Sequence, residues 1–398
     1  MAISLFVATE AGAQTERSIA FLERRTSADA DDFVAWNQLA DRYLQQLRET
    51  GNDEWLRKAR RATEASLRAI PAESNAAGLA LSARVDLAEH RFAEARRKVD
   101  DLARLEPNKT GTLSLRADVL LESGDFEDAE KTIARLEECG VGELMVASRR
   151  GRLCLLRGER DAAREHYEKA RAAAGEGSAP FWIAWTEVQL GELAFSSGDW
   201  ERAEQHYTAA LAKQPAWWTA QEHLAELRAT QGKEEEAFSL YTKIVERIPR
   251  PELLQAIGDL HLFNKRNEEA KKWHEGALAG YQRGLEEGSP AYYHHLASLF
   301  CDSQPNGELA VKWARKDLEI RDIPAARDAL AWALYKAGRI EDAATEIRKA
   351  LARNPTDPHI LQHAAMIQMS AGDIGGGQAA LRTAAAINPR FQSFHVHR

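Results

Sequence analysis

Along the chain, apolar residues return in triplets with a helical step. Ala129, Ile133 and Leu136 form one, and Ala163, Tyr167 and Ala170, then Ala203, Tyr207 and Ala210, Ala237, Tyr241 and Ile244, and Ala343, Ile347 and Ala350 form others. Spacing of i, i+4, i+7 puts each set on one face of an amphipathic helix. Every triplet follows a glycine and a polar residue: Gly124-Asp125-Phe126, Gly158-Glu159, Gly198-Asp199-Trp200, Gly232-Lys233 and Gly338-Arg339-Ile340. That placement suits a turn in which one residue takes a positive φ. Pro71, Pro107, Pro215, Pro249, Pro355 and Pro389 each sit about twelve residues past a marker alanine or its equivalent, where a helix must stop. The period is about 34 residues over nearly the whole chain.

A second helix precedes each of these. Trp36, Leu39, Ala40 and Tyr43 mark it in one unit, Leu190-Gly191 in another and Ile257-Gly258 in a third. With the alanine and proline markers they resemble the W-x2-L-G-x2-Y, A-x3-F, P pattern of tetratricopeptide repeats, in which two antiparallel helices form a unit. The resemblance implies an all-α fold, a right-handed α-solenoid or superhelix of about ten helical hairpins over residues 33–390. Residues 1–32 are then an amino-terminal segment with a short helix, and 391–398 a short tail. The residue after Leu39, Leu190 or Ile257 is expected to be small because helix A crosses its own helix B there.

Several stretches break the period. About seven extra residues around Thr50 to Trp55 lengthen the first unit's helices or its turn. The links from Ala170 to Phe181, with Gly175, Gly177 and Pro180, and from Tyr281 to Tyr292, with Gly284, Gly288 and Pro290, extend a helix or add a loop. Gly375-Gly376-Gly377 weakens the start of the last helix by roughly 1 kcal/mol per glycine. At the amino terminus Ile3 to Ala8 are apolar and Ala11-Gly12-Ala13 has a small-x-small look. Two readings stand: a frayed terminus, or the tail of a signal peptide that starts upstream.

Composition narrows the function. With 398 residues, 44% hydrophobic and 29% charged, the chain is neither disordered nor a membrane protein, and a soluble protein is expected, cytoplasmic or, on the upstream-start reading, exported. A net charge of -8 argues against nucleic acid as the main partner. Cys139, Cys154 and Cys301 are odd in number and lack CxxC spacing, so they read as core residues rather than disulfides or zinc ligands. No phosphate loop, GxSxG elbow, HExxH or dinucleotide motif occurs, and neither enzymatic activity nor a cofactor is expected.

Eight of the 12 histidines lie from His261 onward. His359 and His363 share a helix face and could ligate one metal ion, but two ligands do not make a site, so a bound metal is not expected. His395 and His397 could complete it only if the chain folds back.

In a tetratricopeptide solenoid helix A lines the concave surface. By that phasing Asn37, Asp41, Ser114, Asp118, Arg149, Arg152, Trp185, Glu192, Phe195, Glu222 and Glu226 face the groove, followed by Asp259, His294, His295, Trp332 and Tyr335. Trp185 with Phe195 and Trp332 with Tyr335 are candidate anchors for a bound segment. The acidic middle favours a basic or mixed-charge partner. A carboxylate clamp for chaperone tails is rejected, because Asp41 after Asn37 would repel a terminal carboxylate.

The carboxy-terminal third, Ala329-Leu330-Ala331-Trp332-Ala333-Leu334-Tyr335, His363-Ala364-Ala365-Met366-Ile367 and Asn388-Pro389-Arg390-Phe391, looks like a group of uncharacterised bacterial tetratricopeptide proteins, often exported. Three roles are consistent with the residues. The leading one is a non-catalytic scaffold that captures a protein or peptide segment in its groove. The others are a metal- or ligand-binding protein centred on the histidine-rich repeats, and an architectural subunit joined through its convex face or ends.

Overall fold

A computed structural model describes residues 2–175 and 179–394, with side chains from Thr15 onward. All regular structure among them is helical, and ten hairpins follow an initial helix. None of these helices is long and apolar enough to cross a membrane. The chain divides at Val119 into two compact units.

The first unit holds α1 (Ala2–Ala28), α2 (Phe33–Thr50), α3 (Asp53–Ala69), α4 (Ala76–Ala88), α5 (Phe92–Leu105) and most of α6 (Thr110–Ser123). Where a short helix was expected before residue 33, α1 runs 27 residues. The extra residues of the first repeat lengthen its helices, since α2 and α3 are joined only by Gly51 and Asn52. Gly51 takes φ 72° and Asn52 caps α3 through the Glu54 N–H. The core is a seam of Leu39, Tyr43, Leu44, Ala59, Ala62, Leu81 and Val85 between successive helices.

The second unit continues with α7 (Phe126–Glu138), then the hairpins α8 (Glu143–Leu156) with α9 (Arg160–Ala173), α10 (Pro180–Ser196) with α11 (Trp200–Lys213), and α12 (Trp218–Thr230) with α13 (Glu234–Val245). Next come α14 (Pro251–Phe263) with α15 (Asn267–Glu286), α16 (Tyr293–Ser298) with α17 (Gly307–Ile320), α18 (Pro324–Lys336) with α19 (Ile340–Arg353), and α20 (Pro358–Ser370) with α21 (Ile374–Ile387). This is an α-solenoid of helical hairpins. Ala129, Ala163, Ala203, Ala237 and Ala343 are all fully buried at helix B starts.

The small helix A residue has a definite neighbour. A Cβ on Gly151 would meet the ring of Tyr167, one on Gly191 the ring of Tyr207, and one on Gly258 the ring of His274. The aromatic side chain of helix B therefore lies against bare backbone of its own helix A, and both are held closer than a methyl group allows.

The irregular links also resolve. The first lengthens helix A, so α10 has 17 residues; Gly177 falls outside the described residues. The second lengthens α15 to 20 residues, and Gly284 lies inside that helix because the Tyr292 ring packs onto it.

A seam expected from no repeat pattern closes the second unit on itself. The Asp322 N–H donates to Ser123 O at 3.1 Å, and Arg353 donates to Gly124 O at 2.9 Å while lying 5.0 Å from the Phe126 ring. Thr356 donates to Gly158 O, and Asn354 Nδ2 reaches Leu155 O at 3.4 Å. Arg390 donates to Gly198 O at 3.1 Å with its guanidinium 4.1 Å from the Trp200 ring. Thr230 donates to Phe394 O at 2.7 Å, and Phe394 is buried against Ala225, Ala229 and Ala237. Gly124, Gly158 and Gly198 are thus glycine for two reasons: φ lies between 74° and 92°, and a Cβ would strike Asp322, Asn354 or Asn388.

Candidate functional site

Two partly open cavities lie beside that seam in the second unit. One cavity of about 400 Å³ lies between α8, α10 and α12 on one side and α18, α20 and the Asn388–Phe391 turn on the other. A second, of about 220 Å³, lies among α14, α16, α17, α18 and α20. Ala325, Asp328 and His359 line both, so the two adjoin.

Seven of the expected groove residues stand on these walls. Arg152, Glu192, Phe195 and Glu226 line the larger cavity, and His294, His295 and Trp332 the smaller. Glu122 holds the Arg152 guanidinium charged through a 3.1 Å ion pair. His223 lies between Glu192, at 3.3 Å, and Glu226, at 3.8 Å, and stacks on Tyr207 with ring centroids 5.4 Å apart. Burial alone would lower an imidazole pKa, but the Glu192 charge, reinforced by Glu226 and Glu222, raises that of His223 well above its ordinary value. The Tyr207 hydroxyl is buried and makes no hydrogen bond among the described residues.

The other candidates are placed elsewhere. Asn37 is buried in the first unit, donating to Asn75 Oδ1 at 2.8 Å and accepting from the Ser66 hydroxyl at 2.7 Å, and with Asp41 it lines an open pocket between α1 and α2. Asp41 pairs with Arg84 at 2.9 Å on the surface. Ser114 is buried and Asp118 half-buried. Arg149 is buried and donates to Met145 O at 2.9 Å. Trp185 is half-buried and packs edge-on against Tyr167 at 5.9 Å and Trp182 at 6.3 Å. Glu222 is buried. Asp259 accepts from Ser303 at 2.6 Å and lies 2.8 Å from His274 Nε2. Tyr335 stacks on Trp332 with centroids 5.1 Å apart. The groove candidates of the second unit thus divide between the walls of these two adjoining, partly open cavities and positions packed against neighbouring helices.

His223, Asp328 and Asp357 were not singled out in the sequence. Asp357 caps α20, accepting from the His359 and Ile360 N–H groups at 2.9 and 3.2 Å, while burial pushes its carboxyl up. Its Asp-Pro-His spacing was a readable helix start. Asp328 and His223 sit at unremarkable repeat positions and carried no such mark. His395 and His397 lie outside the described residues. Cys301 is buried, Cys139 and Cys154 are half-buried, and all three are free; burial raises the Cys154 thiol to about 11.

Three tetratricopeptide-repeat family models match, at residues 142–216, at 81–143 and 188–250, and at 324–367. Together they cover more than half of the chain, which belongs to the tetratricopeptide-repeat family. No curated protein matches it. Among solved structures, yeast Tom70 is similar at 13% identity over 89% of this chain and 92% of that one, with a TM-score of 0.39. A thermophilic tetratricopeptide protein of Thermus thermophilus is 22% identical over 48% of this chain and 98% of its own, with a TM-score of 0.41. One from Parabacteroides merdae is 19% identical over 61% and 93%, with a TM-score of 0.42.

Proposed function

We propose that the protein is a non-catalytic interaction scaffold whose second unit admits a short cationic piece of a protein partner, a side chain or chain end, into its interior. Proteins of this family typically act as scaffolds that bind proteins or peptides. The observation that supports the finer reading is the seam from Gly124 to Phe394, which bounds a partly open cavity of about 400 Å³. Such a volume is that of a small-ligand site and does not accommodate a long extended segment. The carboxylates of Glu192, Glu226, Asp328 and Asp357 outnumber the cationic groups on this wall: His223 is shared between Glu192 and Glu226, Arg160 is engaged by Leu193 O, Ser196 and Ser197, and Arg152 by Glu122. A desolvated cation gains most from such a wall.

A photo-crosslinking residue at Ala325, which lines both cavities, tests this in the native cell. It is expected to capture a partner that the same residue at the exposed outer position Lys271 does not, and Glu226→Lys is expected to abolish the capture. Equal capture from Lys271, or capture that survives Glu226→Lys with the fold intact by circular dichroism, would place the partner elsewhere.

A further inference from the structure

Asp328 on α18 and His359 and His363 on α20 converge where the two cavities meet. One donor atom from each lies within 4.8 Å of the others. His363 Nδ1 is 3.0 Å from Asp328 Oδ2, and His359 Nε2 is 3.8 Å from the same oxygen. Donors bound about 2.1 Å from a tetrahedral ion stand roughly 3.4 Å from one another, so the observed separations bracket that edge. We propose that these three residues bind a divalent transition-metal ion of the zinc class.

The supports are those a metal site requires. The chemistry is two imidazoles and one carboxylate, which suits zinc, cobalt or nickel and is poor for calcium or magnesium. The His363 ring is held by Trp332, stacked on it at 4.1 Å with 7° between the planes, and the Trp332 indole is fixed by its N–H donating to Asp302 at 2.9 Å. The Asp357 cap holds the backbone of the helix turn that carries His359, and the His359 ring packs edge-on against that of His363 with centroids 4.2 Å apart. Asp328 and His363 are buried, so the carboxylate is shielded from water that would otherwise compete for an ion. Three protein donors leave a fourth position, and the cavities that Asp328 and His359 line give a water, or a donor from a bound ligand, room to fill it. Within the same smaller cavity stand His294, His295 and Glu252, which keep the surroundings polar.

The test uses the full chain stripped of metal by a chelator and titrated with Co2+, followed by its visible d–d absorption, and with Zn2+ in competition with a chromogenic chelator. One equivalent is expected to bind at micromolar affinity or better and to raise the melting temperature. His359→Gln, chosen because His359 is only half-buried, is expected to weaken binding by about tenfold or more and to remove the thermal shift. Asp328→Asn is expected to act the same way. The double variant His395→Gln/His397→Gln is expected to bind as the wild type does, which separates this site from the tail histidines. Absence of saturable one-equivalent binding in the wild type would overturn the proposal, leaving Asp328 and His363 as a hydrogen-bonded pair. So would binding unchanged in a folded His359→Gln, or binding lost in the tail variant.

Discussion

At the residue scale, the glycines of the helical turns and their exceptions explain one another. Among the described residues nine glycines have positive φ, and in two turns the same conformation falls to His90 at 57° and Lys265 at 59°. An L-residue in the left-handed region costs roughly 1–2 kcal/mol, yet both turns keep the hydrogen bonds of the glycine turns, Arg91 N–H to Asp86 O at 2.8 Å and Arg266 N–H to His261 O at 2.9 Å. His223 illustrates a different residue-level effect. Its pKa is raised in the folded protein, so the folded state binds its proton more tightly than the unfolded state does. The stabilisation is fully present below the ordinary imidazole value of about 6.5 and declines as pH rises toward the folded value. Urea unfolding of wild type against His223→Gln across that range is expected to show the difference in stability shrinking as pH increases. A difference that grows with pH would mean that the Glu192 and Glu226 charges do not act on this ring.

At the element scale, the last hairpin separates helix propensity from packing. Gly375 is exposed, with nothing closer than 4.0 Å to an added Cβ, whereas Gly377 is buried and a Cβ there would collide with Met369 and lie 2.8 Å from Ala365 O. Gly375→Ala is expected to stabilise the protein by up to about 1 kcal/mol. Gly377→Ala is expected to destabilise it by about 1–3 kcal/mol through overpacking against α20. Thermal denaturation of the two single variants should give shifts of opposite sign. The glycine run was legible in the sequence as a weak helix start, but the reason for Gly377 was not, because it depends on how closely two helices approach. The same division holds elsewhere. Ala203, Tyr207 and Ala210 announced their helix and its buried face through spacing alone. For Trp185 a phase rule assigns the side chain to a face but does not say that Tyr167 and Trp182 pack edge-on against it. Asp328 was invisible for the related reason that its meaning comes from His363, 35 residues later.

At the scale of the molecule, a solenoid's stability is approximately a sum over neighbouring repeats. The second unit departs from this through contacts such as Arg353 to Gly124, between residues 229 apart in sequence. Arg353→Ala removes a charge-assisted hydrogen bond, an interaction of about 1.5–3 kcal/mol. Hydrogen exchange is expected to quicken in the variant at both sides of the seam, around residues 123–126 and 321–323, and to stay unchanged in α14. Changes confined to α19 and its adjoining helices would show that the seam does not form in solution. The seam went unread because a repeat period describes each hairpin against the next, while Gly158 and Thr356 belong to different turns of the solenoid.

Tandem arrays commonly gain or lose a repeat without harm, since each member knows only its neighbours. Residues 120–398 have lost that freedom. The turns at Gly124, Gly158 and Gly198 meet partners about 190 to 230 residues further on. Duplicating or deleting a single 34-residue hairpin between them would slide all of these meetings out of register at once. Copy number in residues 120–398 is thus set by the seam, and the changes this unit tolerates are substitutions and insertions that preserve the count.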